Sequence, residues 1–387
     1  MDSSSRLCFH AGLREDRVVK QWFGAAVIVL AALSHSTVRG LAQQAQGRSD
    51  AISVKTATVN GLNIQYLLAG RGPTIVLLHG YAETSRMWRP LIPRLADKFT
   101  VIAPDLPGIG GSAVPADGID MARAAVRMHA LVQQLGLGKA AVVGHDIGLM
   151  VAYAYAAQFP SDVEKLVLMD AFLPGVEGWE AIYNHPAIWH FRFNGPTPEA
   201  LVRGRERTYF EHFWNDFAAD KSRSIPEADR QAYAAAYARP GRMRAAWGYF
   251  VSFQQAARDF AQLSKTKLTM PVLSIGGDKA NGEALAQQIK IVAANGKAVI
   301  LPNTGHWVME ENPRETMSAL VSFLGGQTTT ASSPNASPSS GSVYSEPGRA
   351  NHFARTGAEP VLVQITGIGP TDTRYVNPTD APKASER

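Results

Sequence analysis

Residues 144–148 read Gly-His-Asp-Ile-Gly, which sets the carboxylate of Asp146 between two glycines. The apolar run Ala140-Ala141-Val142-Val143 before it reads as a buried strand, and residues 149–158 after it read as a helix. Asp146 is therefore expected on a tight strand-to-helix turn, where Gly144 and Gly148 let the backbone bend sharply and let neighbouring segments come close. A serine on such a turn would need a base to remove its proton before attacking an acyl carbon. A carboxylate is already ionised at neutral pH and can displace a leaving group from saturated carbon, leaving an alkyl ester on the protein. Alone, the pentapeptide fits a capped turn without chemistry equally well.

It has companions. Gly305-His306-Trp307 lies between a strand-like run at 298–301 and a helical pattern at 312–324. An imidazole there can take a proton from the water that hydrolyses an ester. Two aspartates compete to accept the other ring N–H of His306, because such a triad is defined by geometry and not by position. Asp170 ends the run Leu166-Val167-Leu168-Met169, where an acid without a task is costly to bury, and is preferred for that reason. Asp278 follows Ile275-Gly276-Gly277 among Gly, Lys and Asn, which suits a solvated loop, and stands as the alternative acid. His79-Gly80-Tyr81 follows the run at 74–78, about two strands before Asp146.

With His79-Gly80, Pro104-Asp105-Leu106-Pro107-Gly108-Ile109-Gly110-Gly111-Ser112, the Asp146 turn and Gly305-His306-Trp307, the chain resembles the α/β-hydrolase superfamily over residues 50–325. The aspartate turn points to the epoxide hydrolase and dehalogenase branch. The resemblance implies Asp146 as nucleophile, His306 as base, and backbone N–H groups of Tyr81 and Ile147 as an oxyanion hole. Some members of the branch carry their acid after the sixth strand, as Asp170 would be. The resemblance implies no cofactor and no metal, with a small apolar organic molecule as substrate.

The leaving group decides what else is needed. Haloalkane dehalogenases supply N–H donors to the halide from a tryptophan after the nucleophile and from an Asn or second Trp, and those positions here are Ile147 and Tyr81. Fluoroacetate dehalogenases place arginine after the nucleophile, which Ile147 cannot replace. An opening epoxide leaves an alkoxide, which calls for a donor from the cap. Epoxide hydrolases use two cap tyrosines, or a histidine and a tyrosine. Trp189-His190-Phe191 looks like the histidine-bearing element, with His190 as donor. Residues 244–250 look like the tyrosine-bearing helix, but the register puts Phe250 at the tyrosine position and Tyr249 about 100° around the helix from it. Trp189, Tyr249 and Phe250 are expected around the substrate pocket. The alternatives are a haloalkane or haloacid dehalogenase, and a ligand-binding member of the same fold whose chemistry is partly lost.

Strand-like runs at 52–59, 63–69, 74–79, 100–103, 140–144, 165–170, 272–276 and 298–301 alternate, after the first hairpin, with helical patterns such as 121–135. A mostly parallel eight-stranded α/β sheet follows, its core formed by 50–171 and 264–325 and its helical cap by 172–263. At 387 residues and 45% hydrophobic, the chain can bury one large core. Arg14, Arg17 and Lys20, an apolar run from Trp22 to Leu33, and Gly40-Leu41-Ala42 read as a secretory signal cleaved before Gln43, or else as an uncleaved membrane anchor over residues 1–42. Cleavage implies an exported, periplasmic or secreted protein with no stable membrane association. It would also remove Cys8, the only cysteine, which excludes a disulfide scaffold. The formal charge is +5, and the first 42 residues contribute five Lys/Arg against three Asp/Glu, so about +3 remains with no basic cluster for nucleic acid. Residues 326–387 turn to Gly, Ser, Thr, Pro and Asn and read as a disordered low-complexity tail, with a strand-like run at 361–365.

Overall fold

The computed structural model describes residues 52–325. The expected signal or anchor at 1–42, the low-complexity tail at 326–387 and the run at 361–365 lie outside the described residues. Eight strands, β1 (Ser53–Val59), β2 (Leu62–Ala69), β3 (Thr74–Leu78), β4 (Thr100–Pro104), β5 (Ala140–His145), β6 (Val163–Met169), β7 (Val272–Gly277) and β8 (Gly296–Leu301), form one sheet in the order β1-β2-β4-β3-β5-β6-β7-β8. The β1/β2 and β2/β4 pairs are antiparallel, and every further pair is parallel. β3, β5 and β7 are buried along their whole length, as parallel strands covered by helices on both faces must be, and this is why they read as unbroken apolar runs.

The chain leaves β3 for β4 on one side and later places β5 on the other. Such a reversal of strand order opens a crevice at the carboxyl ends of the two central strands. Tyr81 follows β3 and Asp146 follows β5, so both loops end at that crevice. Helices α1 (Ile92–Ala96), α2 (Met121–Gln134) and α3 (Ile147–Gln158) connect this half of the sheet. α3 is buried on every side from Ile147 to Ala156, which its almost wholly apolar sequence permits.

Between β6 and β7 the chain makes helices α4 (Trp179–Tyr183), α5 (Pro196–Val202), α6 (Glu206–Asp216), α7 (Glu227–Tyr237), α8 (Arg242–Val251) and α9 (Phe253–Leu263), with a 3-10 segment at Pro186–Arg192. Their inner faces meet in an aromatic cluster that buries Phe210, Phe213, Trp214, Tyr237, Trp247 and Phe253. α10 (Gly282–Val292), α11 (Val308–Glu311) and α12 (Pro313–Gly325) complete the fold. β8 begins before its apolar run does. β8 starts at Gly296 because Gly296 and Lys297 pair with Val272 and Leu273 of β7, so the neighbouring strand sets this boundary and local hydrophobicity does not.

Candidate active site

The turn after β5 is strained and tightly packed. Asp146 has φ 52° and ψ −122°, a conformation that side chains rarely adopt and that typically costs about 1–3 kcal/mol. Its N–H donates to Met169 C=O at 3.1 Å and its C=O accepts from Leu149 N–H at 2.9 Å, which clamps the turn between β6 and α3. A Cβ on Gly144 would sit 2.1 Å from the Gly148 carbonyl oxygen, and one on Gly148 would sit 2.5 Å from the carbonyl oxygens of Leu78 and His79. Both positions therefore exclude a side chain, and the Asp146 carboxylate is thrust out of the sheet into the crevice.

The two oxygens of that carboxylate face different groups. Oδ1 accepts the Tyr81 N–H at 2.8 Å, and Oδ2 lies 3.6 Å from His306 Nε2. His306 Nδ1 in turn meets Asp170 Oδ2 at 2.8 Å. Asp170 is fully buried and its Oδ1 accepts the N–H groups of Gly277 at 3.0 Å and Asn281 at 3.1 Å. Asp278 points away from His306: its Oδ1 accepts the Thr304 N–H at 3.1 Å and its Oδ2 pairs with Lys279 at 3.3 Å. Ile147 is the first residue of α3, and of the two expected oxyanion donors only Tyr81 N–H makes a hydrogen bond to the carboxylate here.

A cavity of about 520 Å³ lies over Asp146 and His306, walled by Phe172, Ile182, Ile188, Phe191 and Phe217, with Lys279 and Asn281 also on its lining. His190 opens into the same cavity. Its ring is buried among Phe191, Phe213, Phe217 and Phe250, with centroids 4.5 to 5.6 Å away, and its Nδ1 has no hydrogen-bond partner among the described residues. Burial pulls the His190 pKa down to about 3, against a smaller opposing pull from the Asp146 charge, so the ring is neutral at ordinary pH and carries one N–H.

The three residues expected around the pocket do not line it. Tyr249 donates its O–H to the Pro107 carbonyl at 3.0 Å, because the 100° step along α8 turns it toward the loop after β4. Phe250 packs behind the wall with its ring tilted, 4.5 Å from the Tyr81 ring and 5.1 Å from Phe191. Trp189 is 40% exposed and donates its ring N–H to His212 at 3.2 Å. No tyrosine lines the cavity among the described residues. The hydroxyl of the cap residue Tyr209 accepts from Trp247 Nε1 and from the Tyr81 hydroxyl, so its oxygen is already engaged.

Two buried histidines beneath the site, His145 and His79, take their protonation states from partners that no local pattern marks. His145 donates from Nε2 to the His306 carbonyl at 3.0 Å and meets Glu83 Oε2 through Nδ1 at 3.1 Å. Burial works against its charge, but the hydrogen bond and charge of Glu83 win and lift its pKa to about 9, so this is a buried ion pair directly behind the His306 backbone. His79 sits in the opposite state. Burial lowers its pKa, its Nδ1 donates to Gly80 C=O at 2.8 Å, and Nε2 accepts the Leu106 N–H at 2.9 Å. That neutral ring ties the Tyr81 loop to the loop after β4. Among the described residues no group of three His, Cys, Asp or Glu side chains is arranged to hold a metal ion.

An acid on a strained turn at the switch point of an eight-stranded sheet, facing a histidine after the last strand, is the site of an α/β hydrolase. The family model described as the alpha/beta hydrolase fold matches residues 73–313, and the chain belongs to that family. Within it, the soluble epoxide hydrolase of Corynebacterium sp. (strain C12) is 32% identical over 283 residues, which cover 71% of this chain and 98% of the relative. The structure of the epoxide hydrolase CorEH without ligand aligns with a TM-score of 0.66 at 30% identity, covering 71% and 99%. A fluoroacetate dehalogenase from Burkholderia sp. is 26% identical over 284 residues, covering 69% and 91%. The chain is a hydrolase of the epoxide hydrolase and dehalogenase branch.

Proposed function

We propose that the protein hydrolyses epoxides to vicinal diols through an ester on Asp146. The observation that carries this reading is the division of labour in one carboxylate, whose Oδ1 is held by Tyr81 N–H while Oδ2 faces the cavity beside His306. Oδ2 attacks a ring carbon, the C–O bond of the epoxide breaks, and the alkoxide develops within reach of the neutral His190 N–H. His306, oriented by Asp170, then takes a proton from water, and the hydroxide adds to the Asp146 carboxyl carbon. Charge on the tetrahedral oxygen falls where the Tyr81 N–H already points, a contact worth roughly 2.7–4 kcal/mol in other enzymes. Collapse releases the diol and regenerates the carboxylate. The alkoxide takes up one proton and His306 gives up the one it took from water, so the two cancel and epoxide plus water gives diol with no change of oxidation state.

The apolar walls and the volume of the cavity suit a neutral organic epoxide larger than a two-carbon acid. The Burkholderia relative keeps dehalogenation as the second reading. Against it, among the described residues no arginine lines the cavity to hold a carboxylate and no tryptophan lines it to receive halide. Turnover of aryl and alkyl epoxides by wild type and Asp146→Ala tests the assignment: loss of on the order of 10⁴-fold or more is expected. Diol formation undiminished in Asp146→Ala contradicts the mechanism, and halide release from haloalkanes in place of diol formation moves the assignment to dehalogenation.

A further inference from the structure

Glu311, at the end of α11, is a buried carboxylate that belongs to no part of the mechanism above. Its Oε1 accepts the N–H of Trp307, the residue after His306, at 3.2 Å. Its Oε2 accepts the N–H groups of Ala219 and Asp220 at 2.7 and 3.3 Å, in the segment that leaves α6. The same two loops meet at other points. The His306 N–H donates to Phe217 C=O at 2.9 Å, and Arg223 donates to the carbonyls of Glu311 and Asn303 at 3.0 and 2.9 Å. A Cβ on Gly305 would lie 2.5 Å from both the Ala219 nitrogen and the Phe217 oxygen, so the backbones touch. One loop carries the proposed base. The other carries Asp216, Phe217 and Ala218, which line the cavity.

We infer that Glu311 is a positioning residue that couples the cavity wall at Phe217 and Ala218 to the orientation of His306, and so acts selectively on the hydrolysis of the covalent intermediate. This rests on the reading of Asp146 as nucleophile and His306 as base. The loop after β8 and the segment after α6 are joined through one buried carboxyl group that accepts three backbone N–H groups, and hydrogen bonds to a carboxylate are about twice as strong as neutral ones. A glutamine keeps one acceptor oxygen and sets an NH₂ against the N–H groups on the other side, so it can hold one loop but not both. The groups that serve the attack on the epoxide, Asp146, Tyr81 N–H and His190, make no contact with Glu311. The group that serves the second step follows two backbone bonds away from it.

The test is rapid-quench mass spectrometry of full-length wild type, Glu311→Gln, Glu311→Ala and His306→Gln, each mixed with styrene oxide and a panel of alkyl epoxides. Ester formation on Asp146 should proceed within about threefold of wild type in the Glu311 variants, while ester hydrolysis slows about tenfold or more in Glu311→Ala and by a smaller factor in Glu311→Gln, so that ester accumulates. Thermal melts identify a variant that has failed to fold, in which case Glu311→Gln, close in volume, carries the test. Equal slowing of both steps, or no accumulation in either Glu311 variant while His306→Gln traps ester, overturns the coupling and leaves the catalytic reading standing. Absence of ester in His306→Gln as well overturns the catalytic reading and the coupling with it.

Discussion

At the scale of single residues, the site sets two buried histidines in opposite protonation states. His190, with its pKa drawn down to about 3, is neutral, and if it serves the epoxide oxygen as proposed, replacing it with phenylalanine should slow ester formation by roughly 10²- to 10⁴-fold, the usual worth of a positioned proton donor. Its stability effect has a definite sign. A folded pKa below the ordinary 6.5 gives a contribution that is present above pH 6.5 and lost as pH falls toward 3. Wild-type Tm should therefore fall more steeply between pH 6.5 and 4 than that of His190→Phe. His145, raised to about 9, has the reverse sign: its contribution is complete below pH 6.5 and disappears as pH rises through 9. His145→Gln should melt lower than wild type near neutrality yet lose less between pH 6.5 and 9.5. Equal slopes in variant and wild type, in either titration followed by circular dichroism, contradict these assignments. The meeting of Asp146 with His306 was legible from residue type and spacing. The Glu83 partnership of His145 was not, because Glu83 lies on the loop after β3, 62 residues from the end of β5, and no local pattern links the two.

At the scale of elements, the turn after β5 concentrates what the fold contributes to chemistry. Gly148→Ala would drive a methyl group against the carbonyls of Leu78 and His79, so α3 and β3 must separate. A destabilisation on the order of 3 kcal/mol is expected, read from denaturant melts, together with loss of turnover as the Tyr81 N–H and Asp146 part. A neutral substitution would mean that the close approach of α3 and β3 does not matter. The parallel strands were readable as apolar runs because both of their faces are covered, and the burial cost of an unpaired acid pointed to Asp170 over Asp278. The cap yielded less. A one-residue step on α8 decides whether a tyrosine meets the cavity, and the structure sends Tyr249 to Pro107 and leaves Phe250 as a buttress. Trp189 fared likewise, since the 3-10 segment Pro186–Arg192 turns His190 inward and its neighbour outward. The residues that do wall the cavity, such as Ile182, Ile188 and Phe217, come from segments with no motif and were found only in three dimensions.

At the scale of the whole molecule, the sheet brings Asp146, Asp170 and His306 together at its carboxyl edge, and the helices between β6 and β7 set His190 and the apolar wall over them. Export is a proposal of the same scale: Arg14, Arg17, Lys20, the apolar run and Gly40-Leu41-Ala42 are the supporting residues. Expressed with its N-terminal segment in a secreting bacterium, the protein should be recovered outside the cytoplasm with Gln43 as its first residue. Recovery from the membrane with residues 1–42 intact would instead mark that segment as an anchor. The central claim, covalent catalysis by Asp146, is tested most directly by peptide mass spectrometry of His306→Gln after exposure to a panel of epoxides and haloalkanes. An adduct on the peptide containing Asp146, with the mass of an intact epoxide, is the expected result. A folded variant that carries no adduct from any member of the panel, while wild type turns the epoxides over, would contradict it.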